Sequence, residues 1–306
     1  MKIMRYENIK SDRQFRAVTG MPKDEFQDLL KAFIEAHESI FGKLSDRVPE
    51  RIGKLKKYED CLLFVLFQMK TNLTYDALGA VFNMEASVAY ANFTKYSKIL
   101  EIALHRKKVL PKRKFESKAE LEETLKDEDE IIIDAEEHPV QRPKDPDSQK
   151  DMYSGKKKHH TNKTLIITNP KKWIYFVSSI HCGSKHDFTM LKEEFSILKN
   201  WFNKFRVILD LGFLGFDKLY NSKELLIPHK KKRKKKGEKS TELTEEQKTW
   251  NKAVSRVRVY VEHGIGGMKR YRILGYKNRM KNNFLKNRII GICAGLWNYK
   301  MQYNGC

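Results

Sequence analysis

The chain has 306 residues, which is enough for two domains, at least one of them with a sizeable hydrophobic core. Its formal net charge of +22 predicts a polyanionic partner, nucleic acid first, because lysines and arginines release counterions from phosphates; a lysine-rich proteome is the alternative explanation. The sequence has no apolar run of roughly 18 residues, no signal-like start and no paired cysteine spacing, so we expect a soluble, intracellular protein without a membrane span, disulfide framework or zinc knuckle.

The first part of the chain is predicted to be helical. Residues 22–34 carry apolar side chains at helical spacing, and residues 58–69 are apolar enough for a buried helix. Residues 74–82 are predicted to form a short helix, Asn83 a left-handed turn, and residues 84–96 a following helix. This is the layout of a helix-turn-helix, which offers its second helix to the major groove of DNA, although short helix pairs also occur as plain bundle elements.

The second helix of this pair is the predicted DNA-reading helix. Ser87, Tyr90 and Asn92 are placed to contact base edges or phosphates, but residues 86–92 contain no arginine. Sequence-specific reading therefore has weaker support than DNA binding itself.

A change in charge marks the predicted domain boundary. The basic connector at residues 105–113 is followed by an acidic helix at residues 117–130. We therefore expect a helical DNA-binding domain at residues 1–113, with its helix-turn-helix at about 74–97, and a second domain at residues 114–306.

Two predicted strands each deliver an aspartate at their end. Three isoleucines precede Asp134, and the run Val-Ile-Leu precedes Asp210. Such apolar, β-branched runs are typical of strands buried on both faces. Gly212 and Gly215 then let the chain turn sharply as it leaves the second strand.

A third acid, Glu262, lies in a long predicted helix that begins at a capping box formed by Thr244 and Gln247. A cluster of three carboxylates suits Mg²⁺ or Mn²⁺ better than zinc, which prefers nitrogen and sulfur ligands. The alternative to metal binding is that Glu262 forms an ion pair with Arg258, four residues earlier on the same helix, and has only a structural role. Asp187 is the alternative to Asp210 as the second metal-binding acid. Its position at the start of a predicted helix favours a role as a helix cap instead.

Several basic segments accompany these acids. Lys156, Lys157 and Lys158 follow a glycine but lack the pattern of a phosphate-binding P-loop. His159 and His160 are expected to be solvated basic residues beside DNA, with metal ligation as the alternative. Residues 164–167 and 173–177 predict a β-hairpin. A basic arm at residues 229–243 is expected to lie against phosphates, with a solvated loop or a targeting signal as alternatives.

Motifs spread over most of the chain point to one family. They lie at residues 134–143, 153–157, 186–188, 210–215, 256–262 and 294–298, together with His160 and Lys163. With these motifs the chain resembles the DDE transposases of bacterial insertion sequences, in the branch related to PIF/Harbinger elements. The resemblance covers residues from about 55 to the end.

The resemblance implies an α/β fold, in which an RNase H-like mixed sheet flanked by helices is preceded by an all-α helix-turn-helix domain. It implies that Asp134, Asp210 and Glu262 are the catalytic residues and hold two Mg²⁺ or Mn²⁺ ions, with Asp134 as the shared ligand. The residues expected to contact DNA are Ser87, Tyr90, Asn92, Arg142, Lys156, Lys157, Lys158, Lys230, Lys231, Lys232, Arg233, Arg258 and Lys269.

The implied activity is metal-dependent cleavage at terminal inverted repeats, followed by transfer of the 3′-OH ends into target DNA. The implied partners are double-stranded DNA, at the transposon ends and the target, and further copies of the chain in a homodimer or larger assembly. The expected location is the bacterial cytoplasm, at the nucleoid. The alternatives are an inactive or regulatory DNA-binding protein derived from a transposase, and an RNase H-like endonuclease that cuts without joining.

Overall fold

The computed structural model of the protein describes residues 3–46, 54–231 and 242–305. The helices are α1 (Asp12–Thr19), α2 (Lys23–Phe41), α3 (Tyr58–Thr71), α4 (Tyr75–Phe82), α5 (Ala86–Arg106), α6 (Lys118–Thr124), α7 (Pro146–Met152), α8 (Asp187–Glu194), α9 (Glu245–Lys269), α10 (Arg272–Gly275) and α11 (Asn283–Tyr303). The strands are β1 (Glu130–Pro139), β2 (Tyr153–Ser154), β3 (His159–Thr168), β4 (Ile174–Val177), β5 (His181–Cys182), β6 (Arg206–Ile208) and β7 (Glu224–Leu226). Among the described residues, none of the helices combines the length and apolar composition that crossing a bilayer requires.

The chain forms two compact units. The first, the helical unit, consists of Met1–Pro111, His138–Gln141 and Gly267–Cys306, and the second, the sheet unit, consists of Lys112–Glu137 and Arg142–Gly266. The change of unit after Pro111 lies close to the boundary predicted at residue 113. The two units differ from the predicted domains in the last part of the chain, because residues 267–306 pack with the helical unit.

The helical unit is built around α3. This helix is apolar on nearly all sides and is buried along most of its length, as expected for a helix without a polar face. It packs against α1, α2, α5 and α10, while α11 packs against α5. The Tyr299 hydroxyl on α11 lies 2.7 Å from the carbonyl oxygen of Glu25 and 2.8 Å from Asp28 Oδ2, which fixes the C-terminal helix to α2.

The two helices predicted as a helix-turn-helix correspond to α4 and α5. Thr74 caps α4 by accepting a hydrogen bond from the backbone N–H of Ala77, and Asn83 ends it in the left-handed conformation with φ of 54°. A side chain at Gly79 would collide with the carbonyl oxygen of Met84, so the turn packs directly on the α4 backbone. The second helix runs to Arg106, ten residues past its predicted end.

The sheet unit contains a mixed sheet with the order β2-β3-β1-β6-β7, and β4 and β5 also pair with β3. Strands β1, β6 and β7 are parallel, whereas β2, β4 and β5 run antiparallel to β3. The predicted hairpin is therefore confirmed as β3 and β4. The isoleucines before Asp134 are fully buried in the sheet, as predicted for a strand covered on both faces. This mixed sheet with its helices confirms the predicted RNase H-like α/β fold.

Candidate active site

Asp134 and Asp210 are brought together by the pairing of two parallel strands. In the ladder between β1 and β6, Ile131 is opposite Val207 and Ile132 is opposite Ile208. Each aspartate lies two residues after the last of these pairs, so both acids occupy the same level and the same face of neighbouring strands. The prediction that Asp134 ends its strand is wrong, because β1 continues to Pro139; it is the ladder with β6 that ends before Asp134.

Each of the two carboxylates has one oxygen bound to the backbone and one directed toward Arg258. Asp134 Oδ1 accepts a hydrogen bond from the N–H of Ala135 at 2.8 Å, and Asp210 Oδ1 accepts one from the N–H of Gly212 at 2.7 Å. The Nη2 atom of Arg258 lies 3.4 Å from Asp134 Oδ2 and 4.0 Å from Asp210 Oδ2. A single cationic nitrogen therefore faces both carboxylates.

Burial makes the charge on Asp134 costly. Desolvation raises the pKa of Asp134 to about 6, and the neighbouring charge of Asp210 acts in the same direction. The guanidinium of Arg258 and the N–H of Ala135 lower this pKa but do not offset the burial. A cation bound between the two carboxylates would favour their charged forms.

A buried lysine holds a further acid beside this pair. Asp187 Oδ1 accepts a hydrogen bond from Lys163 Nζ at 3.1 Å, and the same nitrogen donates to the carbonyl oxygen of Lys185 at 2.9 Å. A Cβ atom added at Gly212 would lie 2.7 Å from Asp187 Oδ2 and 2.8 Å from Asp210 Oδ1, so both carboxylates approach this glycine. A side chain at this position would force the two carboxylates to shift.

The interpretation of Asp187 as a helix cap is wrong. The capping position of α8 is His186, which makes no side-chain capping bond, and Asp187 is the first residue of the helix. Its carboxylate pairs with Lys163 instead. Sequence reasoning missed this pairing because β3 and α8 are separate elements. The signal in the sequence that pointed to a role for Asp187 was the family motif at residues 186–188.

Glu262 is not part of this group in the structure. Its side chain on α9 is exposed, one turn after Arg258. Within the described residues, no three histidine, cysteine, aspartate or glutamate side chains converge closely enough to hold a metal ion. Of the three predicted acids, the structure therefore brings together Asp134 and Asp210.

The pair nevertheless fits a hard divalent cation. The Oδ2 atoms of Asp134 and Asp210 face one positive group, and carboxylate oxygens are the donors that Mg²⁺ and Mn²⁺ prefer. Arg258 Nε is buried and has no hydrogen-bond partner among the described residues. An unpaired buried donor is costly, so this N–H is suited to an oxygen ligand that enters the site.

The predicted reading helix exposes two of its three candidate residues. Ser87 and Tyr90 are exposed on α5, and the Tyr90 ring packs edge-on against Tyr75 at a centroid distance of 5.2 Å. Asn92 is half-buried, and its amide nitrogen lies 3.5 Å from Met84 Sδ. Asn92 thus contacts the turn between the helices.

The candidate basic residues occupy several places. Lys156, Lys157 and Lys158 form an exposed turn between β2 and β3, and His159 and His160 begin β3, paired with β2.

Arg142 donates from Nε and Nη2 to Gln149 Oε1 at 2.9 and 2.7 Å. Lys230 is exposed, Lys231 pairs with Glu242 at 3.4 Å, and Lys269 is the last residue of α9. Lys232 and Arg233 lie outside the described residues.

Comparison with known proteins decides the family. The model of the DDE superfamily endonuclease family matches residues 133–298, which is more than half of the chain. The chain belongs to this family. The DDE endonuclease is also 30% identical to a probable transposase for insertion sequence element IS702 of Microchaete diplosiphon, over 98% of this chain and 99% of the relative. No solved structure gives a significant match.

These matches confirm the predicted resemblance to DDE transposases of insertion sequences. Asp134, Asp210 and Glu262 all lie within the matched region of the DDE endonuclease. Members of this family generally use divalent metal ions, which agrees with the oxygen donors that Asp134 and Asp210 offer.

Proposed function

We propose that this DDE endonuclease is the transposase of an insertion sequence, which cleaves DNA at the ends of its element and joins the freed 3′-OH ends to target DNA. The observation that carries the proposal is the placement of Asp134 and Asp210 at one level of neighbouring parallel strands, with both Oδ2 atoms turned toward one cation. The net charge of +22 favours a substrate that carries phosphate groups.

In this proposal Asp134, Asp210 and Glu262 would hold the divalent ions, with Asp134 contributing to both sites. Bound divalent ions lower the pKa of an attacking water or 3′-OH and stabilise the leaving oxygen. The N–H groups of Ala135 and Gly212 hold the two aspartates in orientation through their Oδ1 atoms. Glu262 is exposed and lies apart from the two aspartates in this structure. We therefore infer that its carboxylate would join the site only when metal and DNA are bound.

Arg258 has a role in binding rather than in proton transfer. Its guanidinium faces both carboxylates, so it offsets part of their charge before metal binds and is suited to a phosphate oxygen afterwards. Lys163 fixes Asp187 against the turn at Gly212 and thereby supports the position of Asp210.

The predicted contacts with DNA form part of the same proposal. The exposed face of α5 around Ser87 and Tyr90, together with the exposed lysines at 156–158 and 230–231, is proposed to contact double-stranded DNA. Two element ends must be paired for transposition, so we propose a working assembly of at least two protomers.

The exposed position of Glu262 supports a second candidate, a DNA-binding protein that has the fold but no activity. The intact carboxylate pair supports activity. A cleavage assay with Mg²⁺ on DNA that carries the element ends separates the two candidates.

The test of catalysis uses Asp134→Asn, Asp210→Asn and Glu262→Gln, which remove a charge but preserve side-chain shape. Each variant is expected to lose nicking and joining together while its binding to end DNA persists, because the charge that holds a divalent ion is gone. Binding is measured by fluorescence anisotropy and cleavage on gels, with Asp147→Asn, an exposed carboxylate on α7, as the matched control.

The outcomes discriminate among the candidates. If the Glu262→Gln variant still cleaves DNA, Glu262 is not one of the metal ligands. Nicking without joined product in the unaltered protein would favour an endonuclease, and no cleavage at all would favour the regulatory candidate.

A further inference from the structure

The last part of the chain has an unusual charge. No aspartate or glutamate follows Glu262, whereas residues 263–306 contain nine basic side chains. They are Lys269, Arg270, Arg272, Lys277, Arg279, Lys281, Lys286, Arg288 and Lys300. A stretch of this kind contributes only positive charge to the surface around it.

Part of this stretch forms one contiguous surface with the end of α3. Lys70 Nζ donates to the carbonyl oxygen of Arg270 at 3.0 Å, and the side-chain amide of Asn72 donates to the carbonyl oxygen of Lys277 at 3.4 Å. The Arg272 guanidinium lies 5.6 Å from the centre of the Tyr276 ring. We call the surface made by Lys70, Arg270, Arg272, Tyr276 and Lys277 the α3–α10 corner.

Three of the four cations of the α3–α10 corner form no ion pair with a described residue. Within the described residues, Lys70, Arg272 and Lys277 form no ion pair, and Arg270 donates to the carbonyl oxygen of Gly20. The acid that interacts electrostatically with Arg270 is Glu25 on α2.

Two other lysines of the same unit do have acidic partners. Lys57 lies 2.9 Å from Glu7, and Lys107 lies 2.6 Å from Asp28.

The positive groups of the corner also repel one another. Burial lowers the pKa of Lys70, and the charges of Arg270 and Arg272 lower it further. A bound anion would relieve this repulsion, since it supplies the negative charge that the protein does not. Phosphate groups spaced along a nucleic-acid backbone match a surface of several separate cations.

An exposed ring lies among these cations. The Tyr276 side chain is 55% exposed, and its contact with Arg272 holds the ring at the surface. Cations that follow a backbone, combined with aromatic rings that stack on bases, are typical of surfaces that bind unpaired nucleic acid. A base inside an intact duplex offers no free face, but a base at a cut or opened end does.

We propose that the α3–α10 corner is an additional DNA-binding surface, which holds backbone phosphates with Lys70, Arg272 and Lys277 and stacks an unpaired base on Tyr276. The inference rests on the proposed function, because it takes DNA as the substrate of the transposase. The corner would bind the opened end of the DNA. Its residues lie outside the predicted reading helix and outside the carboxylate site.

The phosphate contacts are tested with the full chain on a blunt duplex. The double variant Arg272→Gln/Lys277→Gln is expected to reduce the slope of log affinity against log salt by about 1.8, since each lost phosphate contact contributes about 0.9. The matched control is Lys10→Gln/Lys31→Gln, which removes the same charge from exposed positions of the same unit and should leave the slope unchanged. Equal slopes in both double variants would overturn the phosphate contacts.

The ring is tested on the same duplex with an unpaired 3′ overhang. Tyr276→Ala is expected to lose about tenfold in affinity for the overhang substrate and nothing for the blunt one, whereas Tyr276→Phe keeps the ring and both affinities. Equal loss on both substrates, or no loss, would overturn the stacking. If the unaltered chain binds neither substrate, the proposed function fails; if it binds and the corner variants match their controls, this inference alone fails.

Discussion

Asp134 is a largely buried carboxylate beside a second carboxylate, so its charge opposes folding when no metal is bound. Its pKa in the folded protein is about 6, above the usual value of 3.8. The folded state therefore binds more protons than the unfolded state between these two values. The stability of the metal-free protein should fall as the pH rises through this window, and the penalty above it is on the order of 3 kcal/mol.

Asp134→Asn removes this titration and should raise the melting temperature of the metal-free protein at neutral pH. The measurement is thermal unfolding in EDTA between acidic and neutral pH, where the variant is expected to show a flatter pH dependence than the unaltered protein. Added Mg²⁺ should raise the melting temperature of the unaltered protein and leave that of Asp134→Asn nearly unchanged.

Arg258→Gln is the complementary variant. Arg258 lowers the pKa of Asp134, so its loss should move the pH window upward and reduce the stability of the metal-free protein at neutral pH. Identical pH profiles for Asp134→Asn and the unaltered protein would show that Asp134 does not carry the destabilising charge.

The residues of the site differ in how far the sequence could predict them. Asp134 and Asp210 follow apolar strands, which is a local signal, and the register of two parallel strands then brings them together. The pairing of Lys163 with Asp187 joins a strand to a helix more than twenty residues later, and no local pattern encodes it. The exposure of Glu262 depends on how α9 is oriented, which its sequence alone does not give.

At the scale of elements, local chemistry predicted where helices begin. Thr244 and Gln247 exchange the two hydrogen bonds of the predicted capping box at the start of α9, both at 3.2 Å. The end of α5 was not predicted, because residues 97–106 are stabilised by packing against α11, which is distant in sequence. Likewise, the helical spacing of Trp250 with Val254 predicts a buried side chain, but Trp250 is 37% exposed and donates to the carbonyl oxygen of Ile227.

The turn between α4 and α5 depends on Gly79. A Cβ atom at this position would collide with the carbonyl oxygen of Met84, and backbone cannot move aside as a side chain does. Gly79→Ala should therefore lower the free energy of unfolding by about 1–3 kcal/mol, despite the higher helix propensity of alanine. The variant should also weaken binding to end DNA, since the two helices of the motif would be forced apart.

Gly266→Ala is the matched control for this prediction. Gly266 lies inside α9 with no atom within 4 Å of an added Cβ, so alanine there should stabilise the protein by up to about 1 kcal/mol. Chemical denaturation of both variants measures the difference. Stabilisation by Gly79→Ala would show that the turn adapts to a side chain.

At the scale of the whole molecule, the helical unit is assembled from segments far apart in sequence. Apolar spacing, the change in charge and the family resemblance together predicted that a helical part precedes an α/β part. They did not predict that the end of the chain returns to the helical part, because the contacts that place it there are not local. The side chain of Asn298 on α11 donates to the carbonyl oxygen of Val109 at 3.0 Å, and Gly295 lies against Leu104 and Leu110.

A fragment of residues 1–111 should therefore be incomplete. Without α11, the buried face of α5 loses its cover, and the backbone groups that Tyr299 and Asn298 bind lose their partners. We expect this fragment to melt at a lower temperature than the full chain, with a broad transition and exposed apolar surface detected by dye binding. A peptide of residues 267–305 added in trans should restore a sharper transition, because it supplies the missing helix. Tyr299→Phe in the full chain removes only the hydroxyl and should cost about 1 kcal/mol, which separates loss of hydrogen bonds from loss of the whole helix. A fragment that unfolds sharply at the melting temperature of the full chain, with no effect of the peptide, would contradict the assignment of residues 267–306 to the helical unit.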